Sequence, residues 1–216
     1  MDIIAFALSP ITFIMAAALE GLHAALSSYG WSIVSLSILV RILLLPLTRW
    51  AGRIEEGEAA KQRVMKPLIS DAKRRLTGRE RFERIEAIYA EHKYHPISSM
   101  KSIAAFALQI PFLLAALFLL SDYQPLTGQS FFLIQDLAKP DGLLVLSGAS
   151  VNILPIILTL VAIFEVFVIP QSSPARLRFL LIATVVLILI YGFPSAVALY
   201  WLTSNIFSLF IHFLKS

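Results

Sequence analysis

The sequence predicts an all-α polytopic membrane protein with five transmembrane helices. Three observations carry that prediction. Of 216 residues, 58% are apolar and only 15% charged, with a mean hydropathy of +0.79; a soluble domain carries about 25% charged residues. Five apolar runs approach the roughly 20 residues that a helix needs to cross a bilayer core. And 13 of the 18 basic residues crowd into one segment, Arg49–Lys101. The same composition excludes disorder, which requires low hydrophobicity. Cysteine is absent, which excludes disulfides, thiolate metal sites, iron–sulfur clusters, thiol nucleophiles and Cys-linked lipid anchors.

The first thirty residues hold no Lys or Arg, so the basic start of a signal peptide is missing. Within residues 10–27, Ile11, Ile14, Met15, Ala18, Leu19, Leu22, Ala25 and Leu26 recur at helical spacing, and Thr12, Glu20, His23 and Ser27 take the other face. That pattern predicts an amphipathic helix in the outer membrane–water interface. The competing readings are a sixth span or an uncleaved signal. The spans follow at 31–48, 102–121, 150–169, 176–191 and 194–214. Only Gly192-Phe193-Pro194 joins the last two, which predicts that they are antiparallel neighbours.

Charge placement sets the orientation. The positive-inside rule puts residues 49–101 in the cytoplasm. The Asp122–Ser147 loop has Asp122, Asp136 and Asp141 against one Lys139, and is expected outside. Arg176 and Arg178 mark a short inner loop, and Lys215 an inner C-terminus. The predicted topology is N-out, C-in.

Residues 49–101 hold 13 basic and 8 acidic residues. Val64, Leu68, Ile69, Ala72 and Leu76 make one helical stripe, and Phe82, Ile85, Ile88 and Tyr89 another. Thr77-Gly78 breaks them, and Thr77 with Glu80 has capping-box spacing. The segment is therefore predicted to be a cytoplasmic helical hairpin. Lys73, Arg74, Arg75, Arg79, Arg81 and Arg84 cluster near its tip. They either satisfy the positive-inside rule and touch anionic lipid, or form a docking surface for a partner such as a ribosome or targeting receptor. No aromatic-interleaved motif points to sequence-specific nucleic-acid reading.

Arg41 stands seven residues before the end of the first span. A charge there costs about 2.5–3.5 kcal/mol at a helix centre on insertion scales, so a polar cavity or partner is expected, unless the side chain snorkels. Ser37 lies one turn earlier on the same face. Glu165 is the only acid within a span, at a depth comparable with Arg41. It either pairs with Arg41 or faces headgroups. Gln109, Asn152, Thr203, Ser204 and Asn205 add hydrogen-bonding groups to other spans, each alone more often helix–helix glue.

No phosphate loop, HExxH or GxSxG occurs. His92 and His95 have i, i+3 spacing, but Pro96 follows and no carboxylates complete a metal site. The reading implies no catalytic residues, no metal and no cofactor, and hence not an enzyme.

Several stretches resemble the Oxa/YidC family of membrane protein insertases. Ser37–Thr48 (SILVRILLLPLT) is similar to the family's first core span, with its intramembrane Arg. Met65–Met100 resembles its cytoplasmic hairpin, leading through Tyr94-His95-Pro96 to Gln109-Ile110-Pro111-Phe112. Phe132–Asp141 (FLIQDLAKPD) resembles the outer-loop motif, Ile153-Leu154-Pro155-Ile156 the start of the third span, and Phe193-Pro194-Ser195 through Leu199-Tyr200-Trp201 and Ser204-Asn205 the last span. The matches run in family order over roughly residues 10–214.

The resemblance implies an insertase and chaperone of the bacterial cytoplasmic (inner) membrane. It would receive nascent membrane proteins in a hydrophilic intramembrane groove and release them into the lipid bilayer without nucleotide hydrolysis. Arg41 matches the groove arginine, and Trp201 and Tyr200 match substrate-contacting aromatics. Glu165, Gln109, Ser37 and Asn205 complete the expected groove set. A carboxylate at Glu165 departs from the amide that many members carry, and would lower the groove's positive charge. No large outer domain and no basic tail appear, so the chain looks like a minimal form in which the hairpin would meet a ribosome; a Sec translocation channel is a further implied partner. The alternative reading is a small transporter or channel using an Arg41–Glu165 pair.

Overall fold

The structure is a computed structural model and describes residues 2–95, 104–146, 148–168 and 173–214. Residues 96–103 and 169–172, Lys215, and the side chains of Arg176 and Arg178 lie outside what is described; the Pro96 turn and the charge marks of the short inner loop and C-terminus fall there. Two compact units are present: Met1–Leu43 with Pro111–Ser216, and Leu44–Ile110.

Helix α1 (Asp2–Leu26) begins well before the expected 10–27. Its packed stripe is Leu8, Met15 and Leu19, while Phe6, Phe13 and Ile14 are exposed. Apolar side chains thus occupy more than one face. Ala5–Leu26 is long and apolar enough to cross a membrane, as are Tyr29–Trp50 and Ser195–Phe213; Gln109–Asp122 and Ile153–Glu165 are shorter apolar helices. Ser27, at φ +53, closes α1.

Helix α2 (Tyr29–Arg75) runs 47 residues without a break. The first apolar span and the first arm of the hairpin are therefore one helix. Pro46 and Pro67 lie inside it. Each removes a single N–H donor, which a long helix tolerates at a cost.

In the second unit, the end of α2 packs on α3 (Gly78–Glu91). The core is Met65, Ala72, Ile88 and Tyr94, with Ile69, Leu76, Ile85 and Tyr89 against it. This corrects the predicted stripes. Val64, Leu68 and Phe82 are exposed, Val64 by 56% and Phe82 by 66%. Positions 65, 69, 72 and 76 follow the i, i+4, i+7, i+11 row of one helix face, and Val64 and Leu68 lie on its flank. Gln62 Nε2 donates to Tyr94 Oη at 2.9 Å, and Lys61 Nζ to the Lys93 carbonyl at 3.5 Å. Thr77 is the N-cap, as its spacing predicts, but its hydroxyl makes no capping bond. Gly78 follows at φ +55, so the first peptide of α3 is turned off the helical path and the capping box does not close.

In the first unit, α4 (Ala104–Asp122) enters from Pro111 onward. Helix α5 (Ile153–Val168) packs extensively against both α6 (Ser173–Ile190) and α7 (Ser195–Phe213). Both α6 and α7, joined by the short Gly192-Phe193-Pro194 connection, thus pack on α5.

The fold is not purely helical. A two-stranded antiparallel hairpin, β1 (Leu144–Leu146) and β2 (Ala149–Val151), precedes α5. The third apolar run therefore becomes helix only at Ile153, not at residue 150. Asp141 sets that boundary: its Oδ1 accepts from Ile153 N at 2.7 Å and its Oδ2 from Leu154 N at 2.9 Å, an N-cap reaching from twelve residues upstream. Asn152, expected within the span, stands before it. Its Oδ1 accepts from Gly142 N, and its Nδ2 donates to the Tyr191 carbonyl at 2.6 Å.

The preceding loop also caps α7. The carbonyls of Lys139 and Leu137 accept from Ser195 N (2.8 Å) and Ala196 N (3.0 Å), satisfying donors that a helix start leaves orphaned. Asp136 braces this loop. Its Oδ1 accepts from Gly128 N and Ala138 N, and Oδ2 pairs with Lys139 Nζ at 3.0 Å. The Lys139 ammonium, with the two backbone donors, holds the Asp136 carboxyl below the usual carboxylate range.

Candidate functional site

Arg41 is half-buried on α2 and faces α7. Two contacts join these helices. Ser37 Oγ donates to the Tyr200 carbonyl at 2.8 Å, and Arg41 Nε donates to the Ser204 carbonyl at 3.4 Å. Both pairs advance by four residues, one turn of each helix, in the same direction. The two helices therefore run parallel here, with polar rungs one turn apart. Ser37, one turn earlier on the same face, secures the α7 backbone on which Arg41 leans.

Glu165 on α5 is an electrostatic neighbour of the Arg41 guanidinium, and Ser208 is a neighbour of Glu165. Tyr200, buried, is a second electrostatic neighbour of Arg41, and His212 a second neighbour of Glu165. Three helices thus converge: α2 brings Arg41, α5 brings Glu165, and α7 brings Tyr200, Ser204, Ser208 and His212. Those four residues are spaced by four, so they form a single stripe. Sequence reasoning missed Ser208 and His212, although stepping i+4 from Tyr200 finds both.

Trp201 and Asn205 stand one residue beyond Tyr200 and Ser204, about 100° further round the helix, and both are half-buried. Gln109 is half-buried on the part of α4 that belongs to the second unit.

Chemically, this is a cation held among a carbonyl, a carboxylate, a phenol and hydroxyls in apolar surroundings. A guanidinium offers five N–H donors in a fork suited to carboxylates and carbonyls. Electrostatic effects are strengthened in such low-dielectric surroundings. Among the described residues, no group of three His, Asp or Glu side chains could hold a metal ion.

In the second unit, Lys73, Arg74, Arg75, Arg79, Arg81 and Arg84 are all exposed. Arg75 pairs with Asp71 at 2.8 Å, Arg79 with Glu83 at 2.7 Å and Arg84 with Glu91 at 3.4 Å. Lys73 and Arg74 instead rim a cleft of about 580 Å³, whose lining includes Met65, Ile69, Tyr89 and Tyr94.

Comparison with known proteins bears on this arrangement. Residues 21–215 match the family model described as 60Kd inner membrane protein. Relatives named membrane protein insertase YidC include those of Endomicrobium trichonymphae, 27% identical over 84% of this chain and 35% of the relative, and Coxiella burnetii, 27% identical over 91% and 33%. The Thiobacillus denitrificans protein of the same name is 26% identical over 94% of this chain and 35% of its own length. The chain spans about a third of the length of these relatives. A crystal structure of an active YidC insertase, with its first transmembrane domain resolved, shares the fold at a TM-score of 0.59 and 16% identity, covering 97% of this chain and 46% of that one. These matches bear out the resemblance to the Oxa/YidC family and describe a multi-pass protein of the bacterial inner membrane. With nine-tenths of its residues under the family model, the chain belongs to the 60Kd inner membrane protein family.

Proposed function

We propose that the chain is a membrane protein insertase, receiving nascent membrane proteins at the polar cluster around Arg41 and releasing them into lipid without nucleotide hydrolysis. The observation that carries this reading is the convergence of Arg41, Glu165 and the Tyr200–Ser204–Ser208 stripe from three helices of an apolar bundle. The relatives' shared name supports it. In this reading the chain has five spans in the N-out, C-in sense, the third of them beginning at Ile153. Arg41, Glu165, Ser37, Tyr200, Trp201 and Asn205 line a groove open to the cytoplasm and to lipid.

The energetics suit such a site. Carrying one substrate Asp to mid-membrane costs about 2.5–3.5 kcal/mol. A polar recess shortens the apolar path, and a cation within it offsets part of that cost. The substrate's apolar helix then partitions into lipid, with each Leu contributing about 0.3–0.6 kcal/mol. No step requires a nucleotide. The carboxylate of Glu165 tempers the cation, so this groove handles weakly acidic or neutral segments rather than acting as a strong anion trap. The basic tip of the hairpin, with Lys73 and Arg74 beside its cleft, is the docking surface for a ribosome delivering the chain, and a Sec translocation channel is a second partner.

Site-specific crosslinking tests this reading. Photoreactive groups at positions 41, 165 and 201, in the full chain, are presented with a stalled nascent membrane protein. Crosslinks from all three are expected. Crosslinks only from lipid-facing positions such as Ile188 would refute the groove. The electrostatic coupling of Arg41 with Glu165 also suits a small transporter; solute flux through proteoliposomes, absent for an insertase, separates the two.

A further inference from the structure

The loop between α4 and β1 carries a feature that capping does not explain. Phe131 and Ile134 exchange two backbone hydrogen bonds, each 2.9 Å, and close a two-residue turn. Phe131 and Ile134 are buried, yet the two residues at the tip, Phe132 and Leu133, are exposed by 78% and 79%. Phe132 also stands at φ +49, at the tip position where glycine is usual because other residues are strained there. A strained backbone that displays two large apolar side chains is an arrangement with a use outside the folded chain.

Its neighbours indicate what covers it. The Trp31 ring meets the Phe131 ring edge-on at 5.5 Å and the Phe132 ring at 5.8 Å. Gly30 makes this approach possible, because a Cβ there would overlap the Phe131 ring. Trp31 is the third residue of the apolar segment Tyr29–Trp50, which is long enough to cross a membrane, and it is itself half exposed. It therefore sits at the bilayer edge, the depth at which Trp side chains concentrate. The loop is further fixed to that edge by its caps on the first residues of α5 and α7. Phe132 and Leu133 thus extend a surface that already faces lipid.

We propose that Phe132 and Leu133 form a membrane-dipping finger, seated beside Trp31 in the interfacial layer of the bilayer at the end where α2, α5 and α7 begin. Its partner is lipid, and its role is to fix the depth of the loop that caps α5 and α7. The finger would hold those helix starts in register with the membrane while the rest of the bundle handles substrate.

The absence of native Cys permits a direct test. Leu133→Cys, in the full chain, is labelled with a nitroxide and reconstituted into phosphatidylethanolamine–phosphatidylglycerol vesicles. Collision rates with oxygen and with a water-soluble nickel chelate, loaded on both sides, are compared with labels at Ile188→Cys and Gln124→Cys. Because Leu133 is exposed, the variant keeps the fold. The expected result is several-fold higher oxygen than nickel accessibility at 133, as at 188, and the reverse at 124. Nickel accessibility at 133 equal to that at 124 would overturn the proposal. So would protection from both reagents, which would assign the finger to a protein partner. Phe132→Gly in the labelled chain relieves the strained turn while deleting the ring, and is expected to shift the label toward nickel; an unshifted label would remove Phe132 from the finger.

Discussion

The hydroxyl of Ser37 donates to the main-chain carbonyl of Tyr200 across 163 residues of sequence, and it does so one turn before Arg41 reaches the Ser204 carbonyl. Small buried side chains such as Ser37 let two helix backbones approach closely. Ser37→Ala deletes one interhelical hydrogen bond and leaves the close approach intact, at an expected cost of about 1 kcal/mol. Ser37→Leu keeps no bond and forces the helices apart, at about 1–3 kcal/mol or more. Thermal unfolding in detergent should rank wild type, Ala and Leu in that order, with insertion activity lost first in the Leu variant.

Arg41→Ala should lower insertion of substrates with acidic outer segments about tenfold or more, since hydrogen bonds to charged groups are worth about 1.5–3 kcal/mol. Arg41→Lys keeps the charge but lacks the planar fork that holds Ser204 O while facing Glu165, so partial activity is expected. Full activity in Lys would show that charge alone suffices. Glu165→Gln keeps the size of the side chain and removes the countercharge, and should raise the preference for acidic over neutral substrates in the same assay.

The long apolar helices Tyr29–Trp50 and Ser195–Phe213 were legible because a bilayer imposes length and apolarity on a span, and Arg41 drew notice because a cation in such a run is costly. Other features were illegible for definable reasons. The strands Leu144–Leu146 and Ala149–Val151 are three residues each and merge with an apolar run. The true start of α5 depends on Asp141, a cap twelve residues away that no local pattern reports. The hairpin stripe was displaced by one position, from Met65 to Val64, because both are apolar and differ by only 100° in direction. Ser208 and His212 were overlooked because each is unremarkable until Tyr200 and Ser204 define the face they share.

Asp136 and Asp141 should respond differently to substitution. Asp141→Ala removes the acceptor for Ile153 N and Leu154 N and should cost about 1–2 kcal/mol, the usual penalty for a lost N-cap. Asp136→Asn instead changes the pH profile. Because its carboxyl titrates below the usual range in the folded chain, its stabilisation is complete above the unfolded value, about 3.9, and is lost as pH falls through the lowered folded value. The wild type should therefore exceed Asp136→Asn in stability at neutral pH, and the gap should close on acidification below about pH 4. A gap constant from pH 7 to pH 3 would mean that Asp136 acts by shape rather than charge.

The hairpin offers a test in which neighbouring apolar residues behave oppositely. Ile88 and Met65 are buried in its core, whereas Phe82 and Val64 point outward. Truncating a buried Ile or Met to Ala costs about 2–5 kcal/mol, and a two-helix unit has little reserve against that loss. Ile88→Ala should therefore open the hairpin, read as rapid tryptic cleavage at its many Lys and Arg residues while the rest of the chain stays intact. Phe82→Ala should leave the cleavage rate near wild type. Lys73→Glu with Arg74→Glu changes only the rim of the cleft, so folding should persist while ribosome binding falls, most clearly at low salt where surface charge acts furthest. Loss of binding in Phe82→Ala, with the double reversal unaffected, would move the docking surface from the cleft rim to the outer face of α3.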